Sequence, residues 1–311
     1  MKILIVGAGG TGGYFGGRLA EAGADVTFLV RPARAAVLAE TGLMIRSRHG
    51  DATLPCRTVT AAKPGTGYDL VLLGVKSYAL GQAIADVAPA IGPGTLILPM
   101  VNGMGHLAAL DRAFGAEKVL GGVCLISSTL GPRGEILHLN DVHKLILGPR
   151  DPGQADACAR IGAIFARANF DHALSRDVLQ DMWEKWIGLA TLAAITCLMR
   201  GSIGQICRAG GADLIVALHA ECGAIAEGQG HPARPSFIAA NRAFLTDPGS
   251  DMTASMFRDL AAGGPTEAEH VVGDLAALRP EGLATPILDA ALCHLRVYER
   301  ARALAGNPVL A

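Results

Sequence analysis

A glycine pattern of the form G-x-G-x-x-G occupies residues 7–12, directly after an apolar run at residues 3–6. In this spacing the first glycine allows a tight turn, the second lets the backbone approach a pyrophosphate, and the third lets a helix pack closely on a strand. A helical stretch follows at 14–22 and a second apolar strand at 25–30. This β-α-β context predicts a Rossmann-type dinucleotide site. Its predicted cofactor-binding residues are Gly7, Gly9, Gly10, Thr11 and Gly12.

The residue after the second strand bears on which dinucleotide binds. An NAD enzyme commonly has an acidic residue here, which accepts a hydrogen bond from the ribose 2′-hydroxyl. This chain has Arg31 instead, with Arg34 one helical step later. A guanidinium matches a 2′-phosphate through two parallel hydrogen bonds, so Arg31 favours NADP(H). The alternative interpretation of Arg31 is a solvated loop charge.

The chain changes character near residue 175. Before it, strand signals alternate with helical stretches; after it, only Ala/Leu-rich helical stretches remain. We therefore predict an α/β domain with a Rossmann-type parallel sheet at 1–174, followed by an all-α domain at 175–311. Further strands are predicted at 68–75, 95–100, 119–128, 134–139 and 144–147. Further helices are predicted at 34–40, 80–91, 153–168, 178–199, 213–229, 235–245, 256–260, 267–278 and 285–305.

Composition and charge exclude several classes of protein. The net charge is −1 and no basic stripe is present, so neither nucleic acid nor an anionic membrane is an expected partner. The seven cysteines are scattered without a C-x-x-C pair, which is typical of reduced thiols in the cytoplasm. The uncharged stretch 186–199 is too short to span a bilayer. We expect a soluble cytoplasmic protein, and the many apolar residues of the helical part are consistent with a homodimer.

Two polar residues follow predicted parallel strands, where ligands bind in sheets of this kind. Lys76 follows the apolar run LLGV, and Asn102 follows TLILPMV. Each has a structural alternative: Lys76 as a solvated loop charge, and Asn102 as a turn residue within N-G-M-G.

Lys185 opens the most apolar helical stretch of the chain, within MWEKW. A lysine in this place either extends its ammonium to solvent or directs it into a cleft, where it can donate a proton near neutral pH. Ser255 and Glu267 are further candidates, although helix N-caps at Thr253 or Ser255 and at Thr266 would explain the same residues without catalysis. Glu267 and His270 form a single E-x-x-H, and because metal sites of that type use two copies, no metal is predicted.

Seven segments, taken in order, resemble the ketopantoate reductase (2-dehydropantoate 2-reductase) family over nearly the whole chain. They are KILIVGAGGTGGYFGGRLAEAG, VTFLVR, LLGVKSY, PMVNGMG, MWEKW, TASM and PTEAEHVVGDL. The resemblance implies a helical second domain like the C-terminal domain of 6-phosphogluconate dehydrogenase. It also implies NADPH-dependent reduction of a 2-oxo acid, with 2-dehydropantoate and pantothenate biosynthesis as the expected substrate and role.

The resemblance also assigns roles to the candidate residues. It implies that Lys185 and Glu267 are catalytic, with Lys185 donating the proton to the alkoxide, and that Asn102, Ser255 and Lys76 bind substrate. It further implies that Lys76, Asn102 and Glu267 contact the cofactor, and that Arg31 meets the 2′-phosphate of NADPH.

One departure bears on the substrate. Family members commonly carry asparagines one and two turns after the lysine, and this chain has Leu189 and Ala193 there. A site built to hydrogen-bond a polar substrate discriminates sharply against one that lacks the group. The loss of the two amides therefore favours a substrate other than ketopantoate, or a cleft that anchors it differently. The alternatives are a reductase or dehydrogenase of a more apolar oxo or 3-hydroxy acid, and an NADP(H)-sensing protein without turnover.

Overall fold

The structure is a computed structural model that describes residues 1–305 and forms two compact units. The first unit consists of Met1–Val101 and His106–Met182, and the second consists of Asn102–Gly105 and the chain from Trp183 onward. The units therefore divide inside the helix Val178–Met199. The domain boundary between residues 174 and 175 stays a prediction.

The first unit is an α/β structure with ten strands. The strands are β1 (Lys2–Val6), β2 (Asp25–Leu29), β3 (Leu43–Arg46), β4 (Ala52–Leu54), β5 (Arg57–Val59), β6 (Leu70–Leu73), β7 (Leu96–Pro99), β8 (Gly121–Leu130), β9 (Ile136–Gly148) and β10 (Asp171–Leu174). Its helices are α1 (Gly10–Glu21), α2 (Pro32–Thr41), α3 (Leu80–Val87), α4 (Gly105–Phe114, whose first residue belongs to the second unit) and α5 (Ala155–Phe165).

A five-stranded parallel sheet confirms the predicted fold class. Its strand order is β5-β2-β1-β6-β7, and β1 pairs in parallel with both β2 and β6. All four residues of β6 are buried, as expected for a parallel sheet that is covered on both faces. The sheet carries the glycine loop at the end of its central strand, β1.

A second, mixed sheet lies beside α1 and was not predicted as such. It has the order β10-β9-β3-β4, with β8 antiparallel to β9. The strands predicted separately at 134–139 and 144–147 are one strand, β9. Asn140 and Asp141 lie between the two predicted strands, and a register shift between Ile126 and Ser128 of β8 accommodates them within a continuous ribbon.

Small residues let α1 approach both sheets. A Cβ at Gly16 would lie 2.7 Å from Ile5 and 2.8 Å from Phe28, in the parallel sheet, while one at Gly17 would lie 2.7 Å from Ile45, in the mixed sheet. Helix α1 is therefore buried along most of its length, which fixes its N-terminus and the glycine loop before it.

The second unit is helical. It contains α6 (Val178–Met199, from Trp183 onward), α7 (Ile203–Arg208), α8 (Ala212–Gly228), α9 (Pro235–Leu245), α10 (Ser255–Ala261), α11 (Asp274–Ala277) and α12 (Pro286–Ala305). Helix α7 was not predicted, although Ser202 and Gln205 form a capping box at its start that the sequence displays. No helix in residues 1–305 is both long and apolar enough to cross a membrane.

A π-helical turn replaces part of the helix predicted at 267–278. The turn spans Glu269–Gly273 and leads directly into the short helix α11. Turns of this kind are rare and often occur at functional sites. This one begins two residues after Glu267.

Candidate active site

Each of the three glycines in the pattern has the environment that its predicted role requires. Gly7 has φ +91°, and a Cβ there would lie 3.1 Å from the Gly74 carbonyl oxygen. A Cβ at Gly12 would collide with the carbonyl oxygen of Gly7, whereas one at Gly9 would meet nothing within 4 Å. Gly7 therefore makes the turn, Gly12 makes the close contact, and Gly9 leaves open space for a ligand.

Unpartnered polar groups surround this loop. Gly9 is the N-cap of α1 without a side-chain cap, so the first backbone N–H groups of the helix face outward and favour an anion. Two buried side-chain atoms, Nη2 of Arg34 and Oγ of Ser128, have no hydrogen-bond partner within the described chain. A Cβ at Gly10 would lie 3.0 Å from that Ser128 oxygen. These donors fit the pyrophosphate of a dinucleotide.

The two arginines after β2 have different surroundings. Arg34 donates from Nε to the Ala8 carbonyl at 3.1 Å and from Nη1 to the Gly134 carbonyl at 2.8 Å, so it braces the glycine loop. Arg31 is the N-cap of α2 and its side chain is exposed. Arg31 can therefore reach a ligand group outside the loop. Lys76 is half-buried and stands at the start of a 3₁₀ turn after β6.

Three predicted residues meet in the second unit. Lys185 donates from Nζ to Asn102 Oδ1 at 3.2 Å, and Asn102 donates from Nδ2 to Glu267 Oε2 at 3.4 Å. The orientation of the amide is chemically determined, because its oxygen can accept from an ammonium and its nitrogen can donate to a carboxylate. Glu267 is only 3% exposed, while Lys185 and Asn102 are half-buried. Asn102 thus links the lysine to a buried carboxylate.

The turn that holds Asn102 docks on the π-helical turn. Gly103 has φ +78°, and a Cβ there would lie 2.5 Å from the His270 carbonyl oxygen, so only glycine fits. In the same turn, the Val271 amide donates to the Glu267 carbonyl at 2.9 Å, and the Val271 carbonyl accepts from Trp186 Nε1 at 2.8 Å. Trp186 therefore ties the backbone next to Glu267 to the helix that carries Lys185.

An ion pair between a buried carboxylate and an exposed arginine fixes the residue before Lys185. Arg234 donates from Nη2 to Glu184 Oε2 at 2.6 Å and from Nε to Oε1 at 2.8 Å, and its backbone N–H donates to Oε1 as well. Glu184 is 5% exposed, so the carboxylate depends on these donors. The pair joins α6 to the N-cap residue of α9 and limits the movement of the helix at Lys185.

Ser255 is the first residue of α10 and is half-buried. The N-cap of that helix is Ala254, without a side-chain cap, so neither Thr253 nor Ser255 has the alternative capping role. Thr266 does not cap a helix either; its Oγ1 donates to Glu299 Oε1 at 2.7 Å, from the neighbouring helix α12.

The two positions that depart from the family pattern are apolar in their surroundings. Leu189 packs at the margin of the hydrophobic core, and Ala193 is buried within it at 1% exposure.

His270 of the single E-x-x-H pattern lies with its Nδ1 atom 3.5 Å from Asp274 Oδ2. Across the described residues, no cluster of three metal-ligating side chains is present.

Sequence reasoning missed Trp186 and Ser128 as parts of these two sites. Trp186 reads as a core residue of an apolar helix, and only its indole N–H, which needs a buried acceptor, signals a further role. Ser128 stands within a strand far from the glycine pattern in sequence, and its proximity to Gly10 depends on the mixed sheet.

Two family models match the chain in succession. Residues 3–152 match the model described as ketopantoate reductase PanE/ApbA, and residues 177–299 match its C-terminal model. A protein of Bacillus subtilis (strain 168), the uncharacterized oxidoreductase YkpB, is 36% identical over 96% of this chain and 99% of its own length.

Solved structures agree with these matches. The crystal structure of 2-dehydropantoate 2-reductase from Geobacter metallireducens GS-15 has a TM-score of 0.87 at 30% identity, covering 96% of this chain and 99% of that one. A ternary structure of D-mandelate dehydrogenase with NADH and anilino(oxo)acetate has a TM-score of 0.87 at 19% identity, covering 97% of this chain and 100% of that one, which shows a shared fold.

Proposed function

The chain belongs to the ketopantoate reductase family, and from this premise we propose that it reduces a 2-oxo acid to a 2-hydroxy acid with NADPH. The substrate we propose is 2-dehydropantoate, whose reduction to pantoate serves pantothenate biosynthesis. The family supports an oxidoreductase that acts on a small molecule with a nicotinamide cofactor.

The observation that carries the proposal is the hydrogen-bond chain from Lys185 through Asn102 to Glu267. Reduction of a ketone needs a proton for the oxygen on which negative charge develops. The Lys185 ammonium donates that proton, and its charge stabilises the alkoxide beforehand. Asn102 holds one N–H of the ammonium and so orients the group, while Glu267 holds the amide in the orientation that this requires.

The glycine loop supports the cofactor half of the proposal. A nicotinamide cofactor supplies the hydride when bound. Gly9 leaves room for its pyrophosphate, and the N-terminus of α1 with Gly10 and Thr11 donates to the phosphate oxygens. The exposed Arg31 takes the 2′-phosphate, because Arg34 is already engaged with the Ala8 and Gly134 carbonyls. Lys76, at the start of the 3₁₀ turn after β6, makes a further contact with the cofactor.

The experiment is a panel of 2-oxo acids assayed with NADPH and with NADH. The proposal expects turnover of 2-dehydropantoate, with kcat/KM higher for NADPH than for NADH. Absence of NADPH oxidation with every 2-oxo acid of a broad panel would sink the proposal. A preference for NADH would remove Arg31 from its role and leave the reaction class intact.

A more apolar oxo acid, or a 3-hydroxy acid, is the second candidate substrate. The observation that favours it is that Leu189 and Ala193 pack in or beside the hydrophobic core, and neither side chain can hydrogen-bond a polar substrate. A higher kcat/KM for a branched or aromatic oxo acid than for 2-dehydropantoate in the same panel would select this candidate. In the proposal for 2-dehydropantoate, Ser255 holds the carboxylate or the hydroxyl end of the substrate.

An NADP(H)-sensing protein without turnover is a less favoured alternative, because sensing alone gives no role to Lys185 and Glu267. Tight NADPH binding without turnover of any panel member would support it. The homodimer and the cytoplasmic location stay predictions, and sedimentation velocity of the full chain tests the first.

A further inference from the structure

A cavity of about 400 Å³ lies between α8 and α9 in the second unit. Its volume falls within the range of small-molecule sites, which is roughly 300–1,000 Å³. None of Lys185, Asn102, Ser255 and Glu267 lines it. The cavity is therefore separate from the hydrogen-bonded trio described above.

The wall of the cavity is mostly apolar. Branched side chains of Ile215, Ile238 and Leu245 form part of it, and the small residues Ala220 and Gly223 leave the space between the helices unfilled. A Cβ at Gly223 would meet nothing within 4 Å. An apolar body of a ligand can therefore lie against α8 without displacing a side chain.

His219 is the buried polar group of this wall. Its ring is 9% exposed and stacks on Phe237 with centroids 6.0 Å apart. The Nε2 atom is buried without a hydrogen-bond partner in the described chain. Burial also lowers the pKa of His219, so the ring is neutral at pH 7 and can donate one hydrogen bond.

Charged groups stand at the edge of the cavity. Arg242 is exposed, and within residues 1–305 it forms no ion pair with an acidic side chain. Glu227 lies two turns beyond His219 on the same side of α8, at about 12 Å along the helix axis. Among the described residues that line the cavity, Arg242 is the only lysine or arginine and Glu227 is the only carboxylate, and no ion pair joins the two, so Arg242 can attract an anionic group.

We propose that this cavity binds a small monocarboxylic acid with a hydrocarbon body, the carboxylate paired with Arg242 and His219 and the body packed against Ile215, Ile238 and Leu245. The pairing supplies the charge-assisted hydrogen bond that a guanidinium gives a carboxylate. The proposal is independent of the reaction proposed above.

The experiment titrates the full chain with hexanoate and with hexanol, followed by saturation-transfer NMR and calorimetry. The acid should bind more tightly than the alcohol. Arg242→Met should weaken hexanoate binding about tenfold, the loss of about one charge-assisted contact, and bring it near that of hexanol. Arg300→Met, a matched exposed arginine on α12 outside the cavity, should leave binding unchanged.

A second pair of variants tests the location. Gly223→Leu fills the space and should abolish binding, whereas Ala217→Leu, on an exposed position of α8 outside the wall, should not. Lys185→Ala should keep binding, since loss there would place hexanoate in the candidate active site and overturn the proposal. Binding retained by Gly223→Leu would also overturn it. The proposal would also be overturned if hexanoate did not bind and Gly223→Leu dissociated a dimer of the chain. A second copy of the chain would then cover the cavity.

Discussion

The hydrogen bond between Trp186 and the π-helical turn is testable by a change that removes one donor. Trp186→Phe keeps an aromatic ring at a position that is 2% exposed but deletes the indole N–H, and it leaves the Val271 carbonyl without its buried donor. An acceptor left unsatisfied costs about 1–3 kcal/mol. Because the Val271 amide also donates to the Glu267 carbonyl, the same loss loosens the backbone beside the carboxylate.

A matched control separates the hydrogen bond from the loss of ring volume. Trp183, one turn earlier on α6, is 7% exposed and packs on Trp186 with ring centroids 5.2 Å apart. Trp183→Phe removes the same volume without breaking the bond to Val271. Urea unfolding should give a free energy of unfolding about 1–2 kcal/mol lower for Trp186→Phe than for Trp183→Phe. The kcat of Trp186→Phe should also be lower than that of Trp183→Phe.

Equal unfolding free energies and equal kcat values for the two tryptophan variants would show that the Trp186–Val271 hydrogen bond supports neither the fold nor the site. A difference in stability without a difference in kcat would restrict Trp186 to a structural role. Far-UV circular dichroism of both variants checks that each is folded before the comparison is made.

Three further predictions follow from other parts of the structure. Burial and the neighbouring His49 lower the pKa of His143 from 6.5 to about 4, so its contribution to stability is complete above pH 6.5 and is lost as the pH falls toward 4. The loss is about 3 kcal/mol at most, and urea unfolding across this range should show a flatter profile for His143→Gln. Gly9→Ala should fold normally and bind NADPH about tenfold more weakly or worse, whereas Gly12→Ala should fail to fold or lose stability in thermal unfolding, because its Cβ meets the Gly7 carbonyl. Arg31→Ala should raise KM for NADPH about tenfold and leave KM for NADH unchanged in steady-state assays; equal effects on both cofactors would contradict the assignment.

The glycine loop could be predicted because its determinants are local. Gly7, Gly9 and Gly12 belong to a single turn. Their spacing alone specifies which glycine makes the turn, which leaves space for a ligand and which allows close helix packing. The long helix α6 was also predicted at its observed bounds, since its apolar pattern is continuous.

The trio of Lys185, Asn102 and Glu267 could be named from family resemblance but not assembled from the sequence. Their meeting depends on Gly103 docking against the His270 carbonyl, a contact between segments that are distant in the chain. The sequence predicts ordinary helix where the π-helical turn lies. The apolar pattern of residues 267–278 does not distinguish the hydrogen bonds of a π-helix from those of an α-helix. Strand β9 was divided for a related reason, since polar residues in an exposed ribbon resemble a turn.

Single-turnover kinetics of Lys185→Ala test whether Lys185 donates the proton during reduction of the oxo acid. We expect a rate of NADPH oxidation lower by a factor of about 10²–10⁴, the usual contribution of a positioned general acid, with the dissociation constant of NADPH nearly unchanged. A variant that reduces the substrate at the wild-type rate would show that Lys185 does not donate this proton.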